Sequence, residues 1–531
     1  MTEMPWWQSA VIYQIYPRSF QDTDGDGVGD LRGIIQRLPH LIELGIHAIW
    51  IAPVFRSPMA DFGYDVSDYI DIDPLFGSMN DFDELLVAAH RSGLKVLLDL
   101  VPNHTSDQHP WFLESRSSRQ NPKRGWYLWH DSGPDGGPPN NWMSEFGGSA
   151  WEFDSPTGQY YYHAFLARQP DLNWRNPQVR GAIYDVMRFW LRRGVDGFRV
   201  DVLWHLIKDD QFRDNPANPN FVPGRPPHEG LRPLYTTDRP EMRGVVAEMR
   251  SIIDEFKDRL LIGEIYLPLE RLVAYYGADL RGAHLPFNFT LLSAPWNAAT
   301  IGKLIDEYEA VLPAGGWPNW VLGNHDRPRI ASRVGREQAR VAAMLLLTLR
   351  GTPTIYYGDE IGMVDVAISP DQVRDPLEKN VPGIGVGRDG CRTPMQWNDE
   401  ANAGFSTGTP WLPLAVDART QSVEDQRLDP ASMYNLYRQL IRLRRSHDAL
   451  LRGSYHPVAA NGDLLAFVRS DDDGRILVAL NFGSRLLSVP TRGLAGTLLL
   501  SSDPKRQGDS VADTLVLQPN EGVVIELAGS T

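Results

Sequence analysis

The sequence predicts an α/β fold, namely a (β/α)8 TIM barrel with a loop-rich domain inserted after strand 3 and a C-terminal antiparallel β domain. Eight short apolar runs bounded by turn residues alternate with amphipathic segments of helical period. The runs have the pattern of buried strands and do not alternate between apolar and polar residues, which is typical of parallel strands that helices cover. From about residue 451 the pattern changes to alternating strands with turn signals at Asn461-Gly462 and Asp473-Gly474. This change predicts the C-terminal β domain.

The barrel prediction depends on the number and order of the apolar runs. The predicted strands cover residues 10–17, 47–54, 95–102, 196–202, 260–266, 285–289, 319–326 and 353–360. Helices are predicted between them, for example over residues 31–45, 79–93 and 176–194. Eight strand–helix units favour a closed barrel over an open sheet.

Two stretches interrupt the alternation and predict the domain bounds. Residues 105–170 are rich in Trp, Gly and Pro and follow the third strand, and residues 361–428 form a second irregular insertion after the eighth. We therefore predict a catalytic barrel over residues 1–104 and 171–450, an inserted domain over 105–170, and a β domain over 451–531.

Composition and charge exclude several classes of protein. The net charge of −15 argues against a nucleic acid or an anionic membrane as partner, because polyanions bind basic surfaces. Cys391 is the single cysteine, so an intramolecular disulfide cannot form. The N-terminal residues MTEMPWWQSA lack the regions of a signal peptide, and the apolar run 341–349 is too short to span a bilayer. We expect a cytoplasmic protein, whose oligomeric state stays open.

Polar residues gather at the C-terminal ends of several predicted strands, where TIM barrels carry their active sites. Asp201, Glu264 and Asp326 end the fourth, fifth and seventh strands. Retaining cleavage of a glycoside needs one carboxylate as nucleophile and one protonated carboxyl as acid. A third carboxylate can stabilise positive charge on the sugar ring. From these residues alone, a buried ion-pair network is the alternative interpretation.

Three further polar residues favour the catalytic interpretation. Arg199 precedes Asp201 by two positions and so shares its strand face, where we expect it to hold that carboxylate ionised. His104 and His325 follow strands beside asparagines, which favours contacts with sugar hydroxyls over a role as core histidines.

Residues 22–30, DTDGDGVGD, predict a metal site in the first loop of the barrel. Asp22, Asp24, Asp26 and Asp30 lie within nine residues and repel one another unless a cation neutralises them. We expect one structural Ca²⁺ here, with Mg²⁺ as the alternative and the backbone carbonyl of Val28 as a further ligand. A solvated acidic turn is the competing interpretation.

Several motifs together resemble a known family. In order and spacing, four segments resemble the four motifs of the α-amylase superfamily (glycoside hydrolase family 13): DLVPNH (99–104), GFRVD (197–201), GEIY (263–266) and NHD (324–326). Four other segments resemble the oligo-1,6-glucosidase and α-glucosidase subgroup of this family: QPDLN (169–173), FGYDVSDY (62–69), RTPMQW (392–397) and PPNNWMSEFGGSAW (138–151). The resemblance covers essentially the whole chain and is strongest toward bacterial α-glucosidases.

This resemblance implies a role for each matching residue. It identifies Asp201 as the nucleophile, Glu264 as the acid/base and Asp326 as the stabiliser of the transition state. The residues that it implies hold the terminal glucose are Asp61, Tyr64, His104, Arg199, His325 and Arg392, and those that resemble the aromatic wall are Phe146 and Phe165. The loop 22–30 matches the metal loop of the family, which agrees with its charge pattern. No organic cofactor is implied.

The expected activity is that of a retaining, exo-acting α-glucosidase acting on small α-glucosides such as maltose, isomaltose and sucrose. One alternative is a transglucosidase that uses the same intermediate with a sugar or alcohol acceptor. An endo-acting α-amylase would need an open cleft, whereas the two insertions are better suited to closing a pocket. A non-catalytic barrel that binds a partner or scaffolds a complex would be expected to have lost a carboxylate, and this chain keeps all three.

The residue after the nucleophile, Val202, bears on linkage. We expect it to line the side of the site that receives the leaving sugar. In the resembling subgroup, Val here accompanies activity on α-1,6 bonds, and Ala or Thr a preference for α-1,4. The sequence therefore predicts cleavage of isomaltose alongside maltose or sucrose. The alternative is that Val202 only packs against the barrel wall.

Overall fold

The computed structural model describes residues 4–491 and 495–528, and their central feature is a sheet of eight parallel strands. All eight lie within one residue of the predicted segments and are shorter than predicted. They are β1 (Ile12–Ile15), β2 (Ala48–Ile51), β3 (Lys95–Leu100), β4 (Gly197–Val200), β5 (Leu260–Gly263), β6 (Leu285–Pro286), β7 (Asn319–Val321) and β8 (Thr352–Tyr356). The predicted segments were longer because the polar residues at their C-terminal ends leave the ladder and enter loops.

The eight strands close into a barrel. Their order in the sheet is β6–β5–β4–β3–β2–β1–β8–β7, and a parallel bridge between Asn288 and Trp320 joins the two outer strands. An apolar cluster that includes Ile12, Trp50, Leu97 and Ile262 fills the interior. All strands are parallel, so their C-terminal ends meet at one mouth of the barrel.

Helices surround the barrel and begin and end where the sequence carries capping residues. The longer ones are Leu31–Leu44, Met79–Arg91, Pro177–Arg193, Met242–Asp254, Ala298–Val311, Arg336–Thr348 and Met433–Ser446. Ser78 caps the second of these with a capping box, and Gly194 ends the third in a left-handed conformation, with φ of 113°. After β5 the α-helix is reduced to the four residues Leu269–Leu272, followed by 3-10 turns.

The predicted insertion after the third strand is loop-rich, as expected, with a little regular structure. It holds the helix Pro110–Ser117 and a three-stranded antiparallel sheet of Trp129–His130, Gln159–Tyr162 and Trp151–Asp154. The insertion after β8 contains only short elements, among them the helices Pro376–Asn380 and Val423–Leu428.

The C-terminal region is antiparallel, as predicted. Its six-stranded sheet contains, in order, Ser454–Asn461, Leu464–Ser470, Arg475–Asn481, Gly522–Leu527, Gly496–Ser501 and Ser510–Val511. Leu487–Pro490 and Thr514–Leu517 form a separate pair. Parts of two predicted domains lie outside the described residues, namely residues 492–494 and 529–531 of the β domain and residues 1–3 of the barrel. The exact domain bounds stay a prediction.

Two buried arginines bind the end of one barrel helix: Arg444 lies on the helix Met433–Ser446, and Arg469 lies on a strand of the C-terminal sheet. Arg444 donates to the carbonyls of Leu347 and Leu349 at 3.0 and 2.8 Å, and Arg469 donates to that of Thr348 at 2.6 Å. These carbonyls end the helix Arg336–Thr348, where backbone oxygens lack partners within the helix and cations are favoured. Within the described part of the chain, no helix has the length and apolarity needed to cross a membrane.

Candidate active site

A pocket of about 410 Å³ opens at the C-terminal mouth of the barrel. The ends of β4, β5 and β7 contribute Asp201, Glu264 and Asp326 to its wall. Tyr64 and Asp61, from the loop after β2, lie on the same wall. A concave site with convergent carboxylates is the arrangement expected of a hydrolase that binds a small polar substrate.

Arg199 connects the two buried carboxylates of β4 and β5. Its Nη1 donates to Asp201 Oδ1 at 2.7 Å and to Asp99 Oδ1 at 2.8 Å. Its Nη2 lies 2.8 Å from Glu264 Oε2. The guanidinium is fully buried and lies behind the pocket wall. It therefore orients the carboxylates, and a direct role in holding the terminal glucose stays a prediction.

Val202 holds Glu264 through the backbone. Its φ of 37° and ψ of 46° place it in the left-handed region, which is unfavourable for a β-branched residue. In this conformation its N–H donates to Glu264 Oε2 at 2.8 Å. Backbone strain of this kind concentrates at functional sites. The side chain of Val202 lines the pocket, as predicted.

The protonation of Asp201 and Glu264 follows from their burial and proximity. Burial raises the pKa of both carboxyls, and the Coulombic repulsion of Glu264 and Asp99 raises that of Asp201 further, whereas Arg199 lowers both. The net pKa shift of each is upward. Arg199 lowers the pKa of Asp201 as expected, but one guanidinium faces three carboxyls and burial acts against it, so the ionised state of Asp201 stays a prediction. A raised pKa moves both carboxyls toward the protonated form.

Asp326 has the opposite electrostatics. Its carboxylate lies 2.9 Å from Arg392 Nη2, 3.2 Å from Arg388 Nη1 and 3.2 Å from His325 Nε2. Burial alone would raise the pKa of Asp326, but these three groups outweigh burial and lower the pKa well below its usual range. Burial and neighbouring charges thus favour protonation of the Asp201–Glu264 pair and ionisation of Asp326.

Arg388 was missed by sequence reasoning, and it occupies a central position. Its Nη2 donates to Asp61 Oδ1 and to Asp375 Oδ1, both at 2.8 Å, while Nη1 faces Asp326. Arg388 lines the pocket, whereas the predicted Arg392 lies behind the wall. The two arginines are four residues apart in one loop, and the motif RTPMQW drew attention only to the second.

The predicted tyrosine and histidines form a neutral hydrogen-bonded wall. Tyr64 stacks on His325 with ring centroids 5.3 Å apart, and its hydroxyl contacts His325 Nε2 at 2.7 Å and Asp99 Oδ2 at 3.1 Å. His104 contacts the carbonyl of Tyr64 at 2.9 Å and Gln169 Nε2 at 3.2 Å. Burial lowers the pKa of His104 to about 4 and that of His325 well below its usual value. Both rings are therefore uncharged at neutral pH.

The predicted aromatic wall comes from the first insertion. Phe146 and Phe165 line the pocket and meet edge to face, with centroids 5.9 Å apart. The Arg388 guanidinium lies 5.1 Å from the centre of the Phe146 ring. On another side, Tyr266 lines the pocket and stacks on Phe289 at 4.3 Å. Sequence reasoning did not single out this second pair.

A long loop after β4 also forms part of the pocket and was not predicted to do so. It contributes Trp204, His205, Pro226, His228 and Glu229. Its signal in the sequence was the long interval between β4 and the helix Met242–Asp254, which is rich in Pro.

An ion pair joins this loop to the first insertion at the pocket mouth. His228 Nε2 lies 2.8 Å from Glu145 Oε2. Burial would lower the pKa of His228, but Glu145 outweighs burial and raises it. The mouth is therefore charged and polar, in contrast to the neutral wall of Tyr64, His104 and His325.

The predicted metal loop brings part of its carboxylates together. Oxygens of Asp22, Asp24 and Asp30 lie within 4.8 Å of one another, whereas Asp26 is outside this group. Burial and the charge of Asp24 raise the pKa of Asp30, although hydrogen bonds from Thr23 and Gly33 act in the opposite direction. Asp26 instead accepts the N–H of Val28 at 2.7 Å. The converging hard oxygen donors fit a small divalent cation, and a ligand role for Asp26 or the Val28 carbonyl stays a prediction.

Comparisons with known proteins point to one family. Residues 14–453 match the catalytic domain of α-amylases. A probable α-glucosidase of Rhizobium meliloti is 44% identical over 90% of this chain and 89% of its own. An oligo-1,6-glucosidase of Parageobacillus thermoglucosidasius is 39% identical over 91% of both chains.

Solved structures agree with this similarity. An α-glucosyl transfer enzyme superposes with a TM-score of 0.94 at 40% identity, covering 99% of this chain and 100% of that one. The trehalulose synthase of Pseudomonas mesoacidophila gives a TM-score of 0.91 at 36% identity, with the same coverage.

Proposed function

Because the chain belongs to the α-amylase family, we propose that it is a retaining, exo-acting α-glucosidase that releases glucose from the non-reducing end of short α-glucosides. The observation that carries this proposal is the arrangement of three carboxyls in one pocket. We assign one proton to the pair of Asp201 and Glu264, which share Arg199, and a negative charge to Asp326, which contacts two arginines. This is the set of charges that retaining hydrolysis requires.

In the first step, Asp201 attacks the anomeric carbon while Glu264 protonates the departing glycosidic oxygen. Both Arg199 and the Val202 N–H approach Oε2 of Glu264, which leaves Oε1 as the oxygen to carry the proton. Transfer of this proton to the leaving sugar leaves Glu264 ionised. The bond between glucose and the aglycone breaks, and a covalent glucosyl–Asp201 ester forms.

In the second step, water replaces the leaving sugar. Ionised Glu264 takes a proton from the water, whose oxygen attacks the anomeric carbon and displaces Asp201. Two inversions give glucose with retained α configuration. Asp326 keeps its charge throughout and stabilises the positive charge that develops on the ring in both transition states.

The exo mode is supported by an ion pair in the pocket wall. Asp61 and Arg388 both line the pocket and lie 2.8 Å apart, so this pair would block a chain that extended past the terminal glucose. Both partners can bond hydroxyls of a terminal glucose. This closure disfavours the endo-acting alternative. The presence of all three carboxylates disfavours a non-catalytic barrel.

Transglucosylation is the second candidate, and the polar mouth favours it. Glu145, His228 and Arg327 can bind the hydroxyls of an acceptor where a leaving sugar departs. A bound acceptor then competes with water for the same glucosyl intermediate. The similarity to an α-glucosyl transfer enzyme also supports this candidate.

We further propose a structural cation at the first loop. Asp22, Asp24 and Asp30 would hold it, and Ca²⁺ suits their oxygen donors, with Mg²⁺ as the alternative. The ion would supply charge neutralisation at a loop that precedes the helix Leu31–Leu44, without taking part in catalysis. A cytoplasmic location stays a prediction.

A substrate panel tests the proposed function. Maltose, isomaltose, sucrose, trehalose and, separately, a longer malto-oligosaccharide are incubated with the enzyme, and products are resolved over time at low and high substrate concentration. We expect free glucose from the first three at low concentration. Oligosaccharide products that dominate at low substrate would favour the transglucosidase, and release of maltose from longer chains would contradict the exo mode.

A further inference from the structure

Asp375 is a buried carboxylate that the proposed mechanism does not use. It caps the short helix Pro376–Asn380 in the second insertion and is fully buried. It lies outside the pocket wall. Its oxygens nevertheless receive most of the donors that Arg388 offers.

The contacts between these two residues fix the guanidinium in its plane. Asp375 Oδ1 accepts from Arg388 Nη2 at 2.8 Å, and Oδ2 accepts from Nε at 3.1 Å. Oδ2 also accepts the backbone N–H of Arg388 at 2.7 Å. Bonds to Nε and Nη2 on one edge of a guanidinium determine where its remaining donors point.

The remaining donors point at the active site. Nη2 of Arg388 also reaches Asp61 Oδ1 at 2.8 Å, and Nη1 lies 3.2 Å from Asp326 Oδ1. A small rotation of the guanidinium would lengthen both contacts together. The position of Asp375 therefore governs the floor of the pocket and one charge partner of Asp326.

Asp389 binds the backbone at the start of the loop that leads from Asp375 to Arg388. Its Oδ2 accepts the backbone N–H groups of Arg374 and Asp375 at 2.6 and 2.9 Å. The two aspartates thus tie together the ends of the segment 376–387, which lines the pocket with Leu377 and residues 385–387. Burial would raise the pKa of Asp375, but Arg388 outweighs burial and lowers it to about 2. Asp375 stays ionised over the working pH range.

We propose that Asp375 is a positioning residue, which orients Arg388 so that its two free donors serve Asp326 and the Asp61 side of the glucose site. The assignment depends on the proposed glucosidase function, because glucoside hydrolysis is its readout. Asp375 itself touches neither substrate nor the reacting atoms.

The test compares Asp375→Asn with a matched control, Asp196→Asn. Asp196 is also a buried aspartate, accepts a backbone N–H from Val96 at 2.9 Å and pairs with His90 and Lys95. It precedes β4, at the opposite mouth of the barrel. Both variants should lower Tm, because each removes the negative charge of a buried aspartate from its cationic partners. Kinetics on p-nitrophenyl α-glucoside then separates them.

We expect Asp375→Asn to lower kcat/KM by about 30-fold, mostly through KM, which is the scale of one charge-assisted hydrogen bond. Asp196→Asn should keep wild-type kinetics. The double variant Asp375→Asn/Arg388→Gln should be no slower than Arg388→Gln alone, because both changes remove one arrangement.

Kinetics of Asp375→Asn equal to those of Asp196→Asn, or losses that multiply in the double variant, would overturn the assignment. If Asp375→Asn does not fold, Asp375→Glu keeps the charge but shifts the guanidinium, and the same rise in KM is expected. A wild-type enzyme that releases no glucose from any glucoside overturns the proposed function itself, and this assignment with it.

Discussion

The glucose end and the aglycone end of the pocket are built in different ways. At the glucose end, Arg199, Asp201, Glu264 and His325 project from the ends of barrel strands, almost fully buried. At the aglycone end, Glu145, His228 and Arg327 come from loops, and their side chains are partly exposed. The barrel strands therefore fix the geometry of the glucose end, whereas the conformations of several loops determine the geometry of the aglycone end.

We therefore expect the glucose end to determine the rate of the reaction and the aglycone end to determine the preference among substrates. Substitutions at the glucose end should change turnover on every substrate, because each α-glucoside presents the same sugar there. Substitutions at the aglycone end should change the ratio between substrates. Only about 1–3 kcal/mol is available from one methyl-scale contact, so such ratios shift without becoming absolute.

The largest expected effect is that of Asp201→Asn. Without the nucleophile, no glucosyl intermediate forms, and kcat should fall by about 10⁴-fold or more on every glucoside. Far-ultraviolet circular dichroism should match the wild type, because the amide keeps the shape of the carboxylate beside Arg199. Retention of a tenth of the wild-type kcat on any substrate would remove Asp201 from the nucleophile role.

Glu264→Gln should have a large effect that depends on the leaving group. Maltose needs a protonated leaving oxygen, so its kcat/KM should fall by about 10³-fold. The nitrophenolate of p-nitrophenyl α-glucoside leaves without a proton, so formation of the glucosyl intermediate from it should be much less impaired. Pre-steady-state release of nitrophenol measures this step. Equal losses on the two substrates would contradict the acid role.

Val202→Thr tests the aglycone end and should have a smaller effect. Both side chains are β-branched, so the strained left-handed backbone and its N–H bond to Glu264 are retained. We expect the ratio of kcat/KM for isomaltose to that for maltose to fall by about threefold to tenfold. Activity on p-nitrophenyl α-glucoside serves as the control. An unchanged ratio with both activities intact would mean that Val202 only packs against the wall.

Removal of the proposed cation should have the smallest effect on chemistry. Exhaustive chelation leaves Asp22, Asp24 and Asp30 repelling one another, so Tm should fall by several degrees. Initial rates below the transition should stay within about twofold of the untreated enzyme. Asp24→Asn provides the control, because its Tm should respond less to the chelator. If chelation leaves the Tm of the wild-type enzyme unchanged, the loop 22–30 is an acidic turn that binds no ion.

The sequence predicted much of the barrel and less of the loops. All eight strands were placed because a buried parallel strand is a short apolar run, which is visible without tertiary information. The short helix Leu269–Leu272 was not predicted, since the chain after β5 instead turns through 3-10 segments. The antiparallel C-terminal sheet was predicted from its alternation and its turns.

The site shows the same division. Asp201, Glu264 and Asp326 were found because strand ends meet at one mouth. Arg388 and Asp375 were missed, because no periodicity indicates that two residues thirteen positions apart in an irregular loop face each other. Their one signal was the repeated Arg-Asp pairing within residues 374–389. The roles of the site residues stay predictions until they are tested.

Trapping of the covalent intermediate tests the central claim most directly. The enzyme is treated with 5-fluoro-α-glucosyl fluoride, whose fluorine at C5 slows hydrolysis of the glucosyl ester while the fluoride leaves readily. Peptide mass spectrometry then locates the added sugar. The account predicts that the peptide carrying Asp201 is labelled at that residue. A label on Glu264 or Asp326, or the absence of any label while the reagent is consumed, would contradict it.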